Sequence, residues 1–111
     1  MTNDELNERI ALALGWEPHG NGWWETSFSG ELVRMDRAGS AWITSADACL
    51  DDLLPVMKAK VPGEVVFMED DDQWRATLYP HAVQKAAVDA YDATLARAIC
   101  LVFLAVMEAT L

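Results

Sequence analysis

Little in this chain is equipped to do chemistry. Among 111 residues there are two cysteines, Cys49 and Cys100, and two histidines, His19 and His81. Both cysteines sit in apolar stretches that read as helix, which excludes a disulfide framework and a zinc quartet and marks them as small buried hydrophobes. The histidines lie far apart, each beside a turn, and no serine or cysteine stands in a nucleophile-elbow context, so no triad can be assembled. A phosphate loop and a dinucleotide fingerprint are missing as well; Gly20 and Gly22 belong to a short turn. An enzyme is not expected, nor a cofactor, nor a metal.

Positive charge is scarce too. Eight basic side chains face 18 carboxylates, for a net charge of −10. Such a surface repels phosphate backbones and anionic lipids, so direct nucleic-acid or membrane binding is not expected. The longest uncharged apolar run, residues 98–107, is far shorter than the roughly 20 residues that span a bilayer. Residues 1–14 carry early acids and no basic stretch, so a signal peptide is not expected and the cytoplasm is the expected compartment.

What the chain has is core. With 52% apolar and 23% charged residues it lies outside the disordered class, and its length fits one domain over 1–111. Thr2 and Glu5 form a capping box before a helical stripe of Leu6, Ile10, Ala13 and Leu14, which Gly15 is placed to end. Residues 19–22 have turn chemistry, 23–28 and 31–36 read as paired strands, and Trp42 lies in a strand end or extended lead-in. A second capping box, Thr44 with Asp47, opens a helix that Pro55 should kink or shorten. Strands at 64–68 and 73–79 flank an acidic tip. From Pro80 the pattern is helical with an expected break near 88–92, because an unbroken helix from 81 to 110 would be about 45 Å long. The last helix is apolar nearly all round, which calls for burial on more than one side, by the fold or by a partner subunit. The expected fold is α+β in the order α-β-β-α-β-β-α, an antiparallel sheet of four to five strands between helices in a three-layer sandwich.

Two sets of side chains are candidate sites. Trp23, Trp24, Trp42 and Trp74, with Arg34 and Arg75, cluster on predicted strands; indole faces stack on flat bases and guanidinium forks hold phosphates. The same tryptophans also suit a sheet core. Adjacent strand residues face opposite ways, so one of Trp23 and Trp24 should be exposed. The run Glu69, Asp70, Asp71 and Asp72 lacks the spacing and glycine of a calcium loop, and reads as a solvated tip or a contact for a basic protein.

Residues 44–55 (TSADACLDDLLP) and 93–101 (ATLARAICL), with Gly15-Trp16-Glu17-Pro18 and Trp74-Arg75-Ala76-Thr77-Leu78, resemble the phage ABA-sandwich family of small bacteriophage and prophage proteins. The resemblance covers nearly the whole chain; residues 80–92 depart from it, being alanine-rich where a loop-like insert belongs. It implies a sheet with helical layers on both sides, brings no enzyme chemistry, and sets the chain in an infected bacterial host. Small accessory phage proteins often counter host immunity. The expected function is therefore non-enzymatic: sequestration of a nucleotide-derived immune signal by the tryptophan–arginine set. The alternatives are an acidic, nucleic-acid-mimicking inhibitor of a host defence protein that binds through the acidic tip, and a structural phage protein. A homodimer through the C-terminal helix is compatible with each.

Overall fold

The computed structural model describes residues 2–26, 30–34, 42–83 and 85–109. Helix α1 (Asn3–Ala13) starts where the capping box places it, with the Glu5 amide donating to Thr2 Oγ1 at 3.2 Å. It ends in a Schellman closure: the amides of Gly15 and Trp16 donate to the carbonyls of Leu12 and Ala11, and Gly15 takes the left-handed φ of 85° that this ending requires. Leu6 and Ile10 are fully buried, as the stripe predicts, but Asn7 is buried beside them.

Strands β1 (Glu17–Gly20), β2 (Trp23–Glu25) and β3 (Leu32–Arg34) form a small antiparallel sheet in that order. Asn21 and Gly22, at φ 54° and 81°, make the two-residue turn that joins β1 to β2, matching the Asn-Gly preference for a hairpin whose central residues both have positive φ. The strand Glu17–Gly20 includes residues whose composition reads as turn. The expected continuations of the paired strands into 27–28 and 35–36 lie outside the described residues.

Residues 42–44 are helical, so Trp42 is not in a strand. Helix α2 (Ala46–Asp52) is capped by Ser45, whose Oγ accepts from the Ala48 amide at 3.3 Å, one residue later than the Thr44 box expected. Pro55 divides the helical stretch as predicted: α2 stops at Leu53, and α3 (Leu54–Lys60) restarts with proline in its first turn, where the missing N–H costs nothing.

The second sheet is β4 (Gly63–Asp70), β5 (Gln73–Pro80) and β6 (Val88–Asp92), also antiparallel and in sequence order. Strand β6 occupies the segment where only a break in a helix was expected. Helix α4 (Leu95–Ala109) closes the chain and packs against β5, β6, α1, α2 and α3. Ile99, Cys100, Val102 and Phe103 on it are fully buried, whereas Leu101 and Met107 are only partly covered. Among the described residues no helix is long and apolar enough to cross a membrane.

The α+β class holds, but the expected architecture needs correction. Among the described residues there are two three-stranded sheets in place of a single sheet of four to five strands, and the order is α-β-β-β-α-α-β-β-β-α. Among these residues the two sheets are separate, β1-β2-β3 and β4-β5-β6. Helix α4, with the second sheet on one side and three helices on others, takes the middle position assigned to the sheet.

Candidate functional site

The register of the first sheet sorts its side chains by face. Trp24 pairs with Pro18 and Val33, and its ring enters the core at 6% exposure. Trp23 points the other way and is 41% exposed. Arg34 is its direct partner across the β2–β3 ladder, and the guanidinium carbon stands 5.9 Å from the Trp23 ring centre. Alternation thus resolves the Trp23–Trp24 pair as expected, with one ring for the core and one for the surface. His19, Gly20, Asn21, Trp23 and Leu32 line an open cleft of about 390 Å³ next to this pair.

A β-bulge adds to this face. From the two-residue turn, regular pairing would set Pro18 against Glu25. The bulge between Pro18 and Gly20 slips the ladder by one, and Glu17 pairs with Glu25 instead. His19 is the extra residue, and its Nε2 lies 3.3 Å from Glu25 Oε2. Glu17, His19 and Glu25 each offer a ligand atom, and these atoms lie within 4.8 Å of one another. The sequence reading missed this trio. Its signal was Glu17 and His19 at strand spacing before an Asn-Gly turn, but only the bulge brings Glu25 into line.

The other predicted residues do not join Trp23 and Arg34. Trp42 is 1% exposed, packs against Trp16 with ring centres 5.1 Å apart, and donates its indole N–H to Asp52 Oδ2 at 2.9 Å. Trp74 is half-buried against the core, on the β5 face that carries Ala76 and Leu78. Arg75 belongs to the second sheet, on its outward face with Val66, Met68, Tyr79 and Tyr91, all four exposed. A hydrogen bond with Tyr91 holds its guanidinium pKa above the ordinary arginine value, against the opposing effect of burial. Its Nη2 also approaches Met68 Sδ at 2.8 Å, while Nε is enclosed without a partner, as is the buried Thr77 hydroxyl.

The acid run ends at the β4–β5 turn, where Asp71 takes φ 56°. Glu69, Asp70, Asp71 and Asp72 are all exposed there. A separate cleft of about 430 Å³ lies where α1, α3 and α4 meet, lined by Arg9, Leu12, Ala13, Lys60, Met107 and Glu108. Its Arg9 is ion-paired with Glu108, and it offers no aromatic face. The first sheet places an exposed ring, a cation and a cleft together.

Buried chemistry is inert by design of its surroundings. Cys49 and Cys100 are fully buried with sulfurs 3.7 Å apart, and both can donate to the Trp42 carbonyl, at 2.8 Å and 3.3 Å. The hydrogen bond with Cys49, followed by burial, pushes the Cys100 thiol far above its usual range, away from the nucleophilic thiolate.

No family model, no curated protein and no solved structure matches the chain.

Proposed function

We propose that this protein is a non-enzymatic binding module that holds a planar, anionic, nucleotide-like ligand on the open face of its first sheet. The observation that carries the reading is the Trp23–Arg34 pair beside the cleft lined by His19, Asn21 and Leu32. An exposed indole supplies a stacking surface, and an adjacent guanidinium supplies the fork that matches phosphate oxygens. Net charge opposes any long anionic polymer; a small ligand would meet Arg34 at short range, against the repulsion of Glu17 and Glu25 on the same face. We further propose an anti-defence role, with the ligand a nucleotide-derived immune signal removed from circulation; this step rests on the sequence resemblance alone.

Calorimetry of the full chain against cyclic mono- and dinucleotides and ADP-ribose derivatives tests the reading. Saturable binding that weakens in Trp23→Ala and Arg34→Ala supports it, and flat titrations across the panel remove it. A second reading rests on the exposure of all four acids at the β4–β5 tip: contact with a basic host protein. Capture of such a protein that disappears on neutralising Glu69, Asp70, Asp71 and Asp72 would favour this reading over the first.

A further inference from the structure

We infer that Glu17, His19 and Glu25 form a binding site for a divalent first-row transition cation of the zinc class. Cross-strand pairing sets Glu17 directly opposite Glu25, and like charges in that relation are destabilising unless something neutralises them. The bulge delivers His19 to the same place. Its Nε2 and Glu25 Oε2 are 3.3 Å apart, close to the roughly 3.3 Å that separates neighbouring ligands at bond lengths of about 2.0–2.1 Å around tetrahedral zinc. Glu17, within 4.8 Å of both, closes the remaining distance by side-chain rotation, for which its exposure leaves room. The β1–β2 ladder holds Glu17 and Glu25 opposite each other, and the bulge between Pro18 and Gly20 presents His19 beside them.

Donor chemistry selects the class of ion. An imidazole nitrogen is a poor partner for calcium or magnesium, which prefer oxygen shells, and a good one for zinc, cobalt or nickel. Two carboxylates neutralise the charge of one divalent cation. Three protein ligands leave coordination positions open to water or to an oxygen of a bound anion. His19 also lines the Trp23 cleft, so the cation would sit at its edge. The cation site does not depend on the nucleotide reading.

The test is calorimetric titration of the full-length chain with zinc chloride, repeated with cobalt chloride, on the wild type and four variants. The expected result is one saturable equivalent per chain, weakened at least about tenfold in His19→Ala, Glu17→Gln and Glu25→Gln and unchanged in His81→Ala. In the wild type, the ring signals of His19 in ¹⁵N NMR should move on adding zinc while those of His81 stay. This reading needs no variant to fold. Absence of saturable binding, equal affinity in His19→Ala, or movement of His81 alone overturns the assignment.

Discussion

Arg34 and Trp23 face each other across the β2–β3 ladder, with the guanidinium carbon 5.9 Å from the ring centre. Both are exposed, so neither is needed to fill the core. An exposed cation–π pair contributes about 0.5–1 kcal/mol, whereas a base stacked on an aromatic ring is worth about 1–3 kcal/mol. Trp23→Ala should therefore shift urea unfolding by no more than about 1 kcal/mol. The same change should lower nucleotide affinity by a factor of about 5 to 150. Parallel unfolding and calorimetric titrations separate the two effects.

Trp42 has the opposite profile. It is buried at 1%, packed on Trp16, and hydrogen-bonded through its indole nitrogen to Asp52. Removing the ring opens a cavity at the junction of the first helical turn after residue 41 with α2 and α4. Trp42→Ala should cost about 3–5 kcal/mol. Asp52→Ala should cost only about 1 kcal/mol, because Asp52 is itself exposed and water can reach its place. Equilibrium urea denaturation should rank the two in that order.

The Cys100 thiol is held protonated by its hydrogen bond to Cys49 and by burial. A raised folded-state pKa means that the native chain keeps a proton which the unfolded chain gives up above about pH 8.5. Its contribution to stability is complete below that pH and is lost as pH climbs beyond it. The slope is about 1.4 kcal/mol per pH unit for this one group. Between pH 8 and 10 the wild type should lose stability more steeply than Cys100→Ala, measured by denaturant midpoint. A thiol reagent should label neither cysteine of the native protein faster than it unfolds.

Gly63 begins β4 at a point of backbone contact. A methyl group there would collide with the Tyr79 carbonyl oxygen and crowd Leu78 and the Pro80 Cα, none of them a flexible side-chain end that could simply swing away except at Leu78. Gly63 pairs with Pro80, so the strain falls on the first rung of the β4–β5 ladder. Gly63→Ala should destabilise by about 1–3 kcal/mol. Hydrogen exchange should show the loss concentrated at the β4–β5 end nearest Pro80.

Local signals in the sequence were read well where one interaction dominates. The Thr2 cap, the Gly15 stop and the division at Pro55 each follow from a hydrogen bond or steric rule confined to a few residues. Strand β6 escaped because Val88-Asp89-Ala90-Tyr91-Asp92 alternates for only five residues inside an alanine-rich stretch. Its pairing with β5, a tertiary effect, decides its conformation. Among candidate site residues, alternation separated Trp23 from Trp24, but nothing local placed Trp42 in the core or Arg75 on a different sheet. The Glu17–His19–Glu25 trio depended on a one-residue slip that a regular hairpin reading sets in the wrong register.

The central claim is that ligand recognition uses Trp23 and not the other indoles. The chain has five tryptophans, so ¹⁵N NMR of the wild type offers five indole N–H signals, assignable by single Trp→Phe variants. Titration with the nucleotide panel should move the Trp23 signal most, and Arg34→Ala should suppress that movement. No movement of Trp23 with any nucleotide, or movement confined to Trp16, Trp24, Trp42 or Trp74, would contradict the account.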